Sequence, residues 1–161
     1  MGAASQYRER SPLLEWLRLK GYVAFNLPRA VTALGAALLL GVATTHVYVL
    51  ARRPAVPALF VGYAVAVAVC CVLAAVAMWL SRYPRMLRAA WMCGDGISVF
   101  FIAAYLITRP APLPGLVAIT GRWDVAPATL AGACALGFLA VHLSVLLGIN
   151  VAYPHHQQWS D

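Results

Sequence analysis

Four long apolar stretches constrain the fold of this chain more than any other feature of its sequence. The first lies between Arg29 and Arg53 and is RAVTALGAALLLGVATTHVYVLARR, an almost unbroken apolar run held between arginines. Because a helix rises about 1.5 Å per residue, about 20 residues cross the roughly 30 Å hydrocarbon layer of a bilayer. The stretches predict transmembrane helices at about residues 29–51, 58–80, 88–108 and 127–150.

The composition agrees with a chain that lies mostly in a bilayer. Of the 161 residues, 63% are hydrophobic and only 11% are charged, whereas soluble domains carry about 25% charged residues. Most of the surface therefore does not face water, and no second, soluble domain fits. We expect an all-α polytopic membrane protein with an N-terminal segment at 1–28, a four-helix transmembrane domain at 29–150 and a polar C-terminal tail at 151–161.

The N-terminal segment is predicted to hold a short interfacial helix. Ser11 and Pro12 are typical of a helix start, and Gly21 is typical of a helix end. The residues between them mix leucines and Trp16 with charged side chains. This segment is too short and too charged to span a bilayer, so an amphipathic helix lying in the interface is predicted. A soluble cap helix that contacts a partner is the alternative.

The connections and the basic residues predict the topology. The connection at 52–57 is short, so the second helix should return antiparallel beside the first, and helices three and four form a second antiparallel hairpin. One predicted side holds Arg8, Arg10, Arg18, Lys20, Arg29, Arg82, Arg85 and Arg88, and the other holds Arg52, Arg53, Arg109 and Arg122. This asymmetry favours both termini on the cytoplasmic side of a bacterial inner membrane or the matrix side of a mitochondrial inner membrane. Trp79 and Trp91 then fall near the inner interface.

Three of the predicted helices carry small residues at four-residue spacing. Such stripes let neighbouring backbones approach closely in a membrane. They are Ala33, Ala37, Gly41 and Thr45 in the first helix, Gly62, Ala66, Cys70 and Ala74 in the second, and Ala140, Ser144 and Gly148 in the fourth. The stripes offer more close-packing surface than one small bundle needs, so they favour packing against other membrane subunits.

Asp95 is the most informative single residue, because no other acidic residue lies inside a predicted span. A carboxyl group in lipid is costly, so Asp95 should face the bundle interior, a cavity or a partner. Two interpretations remain open. Asp95 handles protons or cations, or it is a neutral structural group that hydrogen-bonds Ser98 or a backbone carbonyl.

Two histidines lie inside predicted spans. Helix four runs opposite to helix three, so His142 and Asp95 should reach a similar depth, as a proton relay, a quinone-site hydrogen bond or a structural bridge between helices. His46 lies near the outer end of the first helix, and two histidines on two helices also suggest haem ligation. Their different depths make them poor axial ligands of one haem within this chain.

No residue pattern predicts an enzyme. The cysteines lack metal-binding or redox spacing, no nucleophile–base pair suggests hydrolysis, and no glycine-rich phosphate loop is present. We predict no metal site and no cofactor of the chain's own. Lipid is the expected surroundings, and quinone or haem is expected only together with a partner chain.

Three functions are compatible with this sequence. The favoured one is a non-catalytic accessory or structural subunit of a larger integral membrane complex, such as a respiratory-chain assembly, with other membrane subunits as partners. The second is a small oligomeric proton- or cation-coupled transporter or channel that uses Asp95 and His142. The third is a membrane anchor that binds quinone or haem. Nucleic acid is not an expected partner, because the basic residues cluster at the ends of apolar runs.

Overall fold

The described part of the protein is entirely helical apart from its turns and chain ends. The computed structural model describes residues 27–52, 57–81, 83–110 and 126–152. Within these residues lie α1 (Pro28–Arg52), α2 (Ala58–Leu80), α3 (Pro84–Thr108) and α4 (Ala126–Leu146). All four are long and apolar enough to cross a membrane. The predicted all-α fold with four membrane-length helices is therefore confirmed, whereas the predicted interfacial helix and the C-terminal tail from 153 onward lie outside the described residues.

Two helix ends differ from the predicted spans for local reasons. α3 begins at Pro84 rather than at 88, with the proline in its first turn, where a fixed φ and a missing N–H suit a helix start. α4 ends at Leu146 rather than at 150. Gly148 follows with φ of 76°, and the N–H of Ile149 donates to the carbonyl of Ser144 at 2.9 Å. A left-handed glycine of this kind satisfies the last carbonyls and ends the helix.

Each helix packs most extensively against two of the others. α1 contacts α2 and α4 most extensively, and α3 contacts the same two helices. Near the start of α1, a methyl group at Gly35 would lie 2.6 Å from Trp91 of α3 and 2.9 Å from Met78 of α2. Near the end of α1, His46 contacts the rings of Tyr63 and Phe101. We call these two depths the Trp91 level and the His46 level.

The outer surface of the bundle is apolar. Large side chains such as Leu59, Leu73 and Leu80 are 75%, 63% and 69% exposed. The largest fully buried side chains are Leu39, Val42, Cys71, Met78, Trp91, Ser98, Phe138 and His142. Aliphatic side chains outside and polar ones inside are the arrangement that lipid favours, and together with the four long apolar helices they indicate an integral membrane protein.

Glycines set the close contacts between helices, but most of these contacts are not the ones that the small-residue stripes suggested. Gly35, Gly94 and Gly137 lie directly against side chains of other helices, and Gly41 of the predicted stripe lies against Cys134. Of the other predicted stripe residues, Thr45 and Ala74 are buried, Ala33 and Ser144 are half-buried, and Ala37, Gly62, Ala66, Cys70 and Ala140 are exposed. Gly148 lies beyond the end of α4 in a left-handed turn, so it does not continue the stripe of Ala140 and Ser144 along the helix.

Candidate functional site

The most distinctive feature of the bundle interior is a contact between two ionisable side chains. Nδ1 of His142 on α4 lies 2.5 Å from Oδ2 of Asp95 on α3. The histidine side chain is 1% exposed and the aspartate side chain is 24% exposed. A hydrogen bond between imidazole and carboxylate is charge-assisted and is among the strong polar contacts available to a protein.

Aromatic stacking fixes the orientation of the His142 ring. Trp91 is fully buried, and its ring is stacked on His142 with centroids 5.0 Å apart and an interplanar angle of 29°. Trp91 also stacks on Phe138 at 5.1 Å. Phe138 precedes His142 by four residues and therefore lies one turn away on the same face of α4. The indole thus covers two successive ring side chains of the neighbouring helix.

Four polar atoms, two on the pair itself and two on Trp91 and Ser98 of α3, have no hydrogen-bond partner among the described residues. They are buried, and they are Trp91 Nε1, Asp95 Oδ1, Ser98 Oγ and His142 Nε2. Trp91, Asp95 and Ser98 follow one another at spacings of four and three along α3, so they share one face of that helix. The indole nitrogen only donates, whereas the hydroxyl can donate and accept. We call these four residues the polar cluster.

The polar cluster suits the storage and transfer of a proton. When Asp95 is ionised, the Nδ1–H of His142 donates to it and leaves Nε2 with a free lone pair. A proton added at Nε2 converts a pair with a net charge of −1 into a neutral carboxylate–imidazolium pair. A change of one charge in a low-dielectric interior has a large effect on the surroundings, so proton uptake here can be coupled to movement of the helices.

His46 lies at the other depth of the bundle and does not contact the pair. It is 6% exposed, and its Nδ1–H donates to the carbonyl of Val42 at 2.8 Å. The ring centroids of Tyr63 and Phe101 lie 5.7 Å and 5.4 Å from its own, both at steep angles. Phe101 follows Asp95 by six residues on α3, which separates these two residues by about 9 Å along the helix. The structure therefore brings Asp95 and His142 into contact, places Ser98 on the same face of α3 as Asp95, and holds His46 apart from the pair.

The cysteines and the other potential metal ligands of the described residues do not form a metal site. Cys71 is buried, Cys134 is half-buried, and Cys70 and Cys93 are exposed on the outer surface. Among the described residues, no group of three or more His, Cys, Asp or Glu side chains could hold a metal ion.

Trp91 is the residue whose role the sequence interpretation missed. Its position near the start of a span is typical of the aromatic belt at the membrane interface, but its ring is fully buried. Trp91 therefore packs inside the bundle and does not face the lipid headgroups, as a residue of the aromatic belt would. Its spacing of four from Asp95 was the available signal, because residues at that spacing face the same side of a helix.

Comparison of the chain with protein-family models, with curated proteins and with solved structures gives no match.

Proposed function

We propose that this chain is a proton-handling integral membrane protein, a small transporter or channel that acts as an oligomer and uses Asp95 and His142. The observation that carries the proposal is the 2.5 Å contact between His142 Nδ1 and Asp95 Oδ2 inside the bundle. Ionisable residues inside membrane spans are expensive, and they mark ion pathways and proton relays. The open Nε2 of His142 supplies the second position that a relay needs, beyond the position that Asp95 occupies.

The experiment is proton flux into liposomes. The purified chain is reconstituted with a pH-sensitive dye trapped inside, and a potassium gradient with valinomycin drives proton entry. Asp95→Asn keeps the size of the side chain and removes its charge and its proton-accepting oxygen. We expect it to abolish flux while the far-ultraviolet circular dichroism is unchanged.

Gly96→Ala is the matched control, because it is adjacent to Asp95 and a methyl group there meets nothing within 4 Å. Its flux should equal that of the unmodified chain. Full flux in the Asp95→Asn protein would remove the proposal.

The proposed topology is two antiparallel hairpins with both termini on the cytoplasmic or matrix side. The excess of basic residues in the N-terminal segment and around 81–88 supports this orientation, and the segment at 11–20 would lie in the inner interface. This placement suits a bacterial or mitochondrial inner membrane. Single cysteines introduced at the two termini of a cysteine-free variant should be protected from an impermeant maleimide in cells or mitoplasts and should react after permeabilisation.

A second candidate function is supported by the outward face of α2. Gly62 meets nothing within 4 Å, and Ala66 and Cys70, which continue its stripe, are exposed. A stripe of small side chains on the lipid-facing surface suits close packing of a helix from another chain. The chain is then an accessory subunit of a larger membrane complex, such as a respiratory assembly.

A pull-down in mild detergent, with mass spectrometry and an absorbance spectrum of the eluate, separates the two functions. Stoichiometric recovery of other membrane subunits supports the accessory role, and the spectrum reveals any haem held with them. Gly62→Leu should reduce this recovery, whereas Gly132→Leu, at another glycine with open space on α4, should not. A homogeneous oligomer of this chain alone contradicts the accessory role.

A further inference from the structure

The face of α3 that turns inward carries polar and aromatic side chains along most of its length. Asp95 and Ser98 belong to the polar cluster, Phe101 contacts His46, and Tyr105 stacks on Phe101 at 6.2 Å. Arg109 is 3% exposed, and its guanidinium carbon lies 4.3 Å from the centre of the Tyr105 ring. The spacings of three and four keep all five residues on one side of the helix, so polar groups recur from the Trp91 level to the far end of the bundle.

Ser98 lies between the two ionisable levels. It follows Asp95 by three residues and precedes Phe101 by three, which places it about 4.5 Å along the axis from each. Its side chain is 1% exposed, and its hydroxyl has no hydrogen-bond partner among the described residues. A hydroxyl can accept a proton on its oxygen while it releases the hydrogen it already carries. The Ser98 side chain can therefore pass a proton onward and remain a neutral hydroxyl group.

The geometry of His46 matches that of a proton acceptor. Its Nδ1 faces the carbonyl oxygen of Val42 at 2.8 Å, and a carbonyl oxygen only accepts, so Nδ1 carries the hydrogen. The neutral ring then has its lone pair on Nε2. The side chains that contact the ring are Tyr63 and Phe101, and the phenol of Tyr63 is the titratable group among them. An imidazole held in this way can take a proton at Nε2 and release it without turning.

Apolar side chains separate the two levels on α1. Leu39 and Val42 are 0% and 1% exposed, and Leu39 is the α1 residue beside Gly94. Both side chains are closed to bulk water, so under the proposed function a proton crosses this depth through hydrogen bonds that link one polar group to the next. One water molecule that donates one bond and accepts another spans about 5 Å between heavy atoms. The axial rise from Asp95 to Ser98 and from Ser98 to Phe101, about 4.5 Å each, is of similar size, so one bridging water for each step fits the spacing of these residues along α3.

We propose that the Asp95–His142 pair, Ser98 and His46 bind and release a proton in turn along one path through the bundle. A proton bound at His142 Nε2 passes to Ser98, which releases its own hydroxyl hydrogen toward His46. His46 Nε2 gains that hydrogen and becomes an imidazolium, then releases it toward the end of the bundle that holds Tyr105 and Arg109. No bond between heavy atoms changes and no electron is transferred. The path rests on the proton-handling function proposed above.

The experiment uses the same liposome flux assay with three further variants. His46→Asn retains an N–H for the carbonyl of Val42 and removes the protonatable Nε2. It should lower flux by at least about a hundredfold, the lower end of the usual contribution of a positioned proton-transfer group. Ser98→Ala removes only the hydroxyl and should lower flux without lowering the unfolding temperature. His46→Ala should lose flux and recover it when imidazole is added, because a soluble imidazole can replace a proton carrier.

The outcomes distinguish this path from the proposed function. If Asp95→Asn abolishes flux while His46→Asn and Ser98→Ala conduct normally, the path is wrong and the proton-handling function stands. If Asp95→Asn conducts normally, the function fails and the path fails with it. If His46→Ala folds but imidazole does not restore its flux, His46 is not a proton carrier. Should His46→Ala fail to fold, the flux of His46→Asn decides.

Discussion

Gly94 and Gly96 flank Asp95 on α3 and have opposite surroundings. A methyl group at Gly94 would collide with the tip of the Phe138 ring, with Cε1 at 2.7 Å and Leu39 Cδ1 at 3.2 Å. A methyl group at Gly96 would meet nothing within 4 Å. Substitution of each glycine by alanine is therefore a matched pair of perturbations, one residue on either side of the same carboxylate.

The magnitude follows from how far the Phe138 ring can move. Carbon atoms pack at about 3.5–4.0 Å, so the ring would have to withdraw by about 1 Å. Trp91 stacks against it at 5.1 Å and limits that movement. Such overpacking costs about 1–3 kcal/mol. The gain from replacing a helical glycine by alanine is the same for both variants and cancels in their comparison. We expect Gly94→Ala to be about 1–3 kcal/mol less stable than Gly96→Ala.

The assay is reversible unfolding in mixed micelles. The free energy of unfolding is followed by circular dichroism while the mole fraction of sodium dodecyl sulfate is raised. The intrinsic fluorescence should also change in Gly94→Ala, because the displaced Phe138 ring lies against Trp91. Free energies of the two variants within about 0.5 kcal/mol of each other, the usual range for harmless substitutions, would refute the packing of α3 against α4 at this point.

Two further predictions concern the start of α1 and the residues that follow the end of α4. The hydroxyl of Thr32 donates to the carbonyl of Ala152 at 3.2 Å, so Thr32→Val should lower the free energy of unfolding by about 0.6 kcal/mol, the average for such bonds in membrane proteins. Thr44→Val is its control, since that hydroxyl donates to the Leu40 carbonyl of its own helix. Equal losses of unfolding free energy in the two variants would contradict a stabilising bond between Thr32 and Ala152. Gly148→Ala should cost about 1–2 kcal/mol because a side chain is strained in the left-handed conformation. Gly132→Ala, measured alongside by the same unfolding titration, meets equally open space inside a helix and should not be destabilised.

The sequence predicts the spans well because hydrocarbon thickness fixes the length of an apolar helix. It predicts helix ends less well, since hydropathy marks where lipid contact stops. α3 begins at Pro84, before the apolar span does, and its first turns contain Arg85 and Arg88. Counting residues along helices of opposite direction also gives His142 and Asp95 a similar depth, without showing that they touch.

Which face of each helix turns inward is much harder to predict. In a soluble protein the apolar stripe marks the buried face, but in lipid both faces are apolar and the stripe disappears. Small residues therefore occur at equal spacing inside and outside this bundle. Gly35 lies against Trp91, whereas Ala37, two residues later and part of the predicted stripe, is exposed. Only the rotation of α1 in the folded chain distinguishes them.

The polar cluster holds more polar atoms than its one direct hydrogen bond satisfies. A hydrogen bond between membrane helices contributes about 0.6 kcal/mol on average and about 1.7 at most. A buried polar atom left without a partner costs about 1–3 kcal/mol. The polar cluster contains one such bond, between His142 and Asp95, and four buried atoms without a partner among the described residues. Water that bridges these atoms would supply their hydrogen bonds and, under the proposed function, would also link the groups that carry the proton.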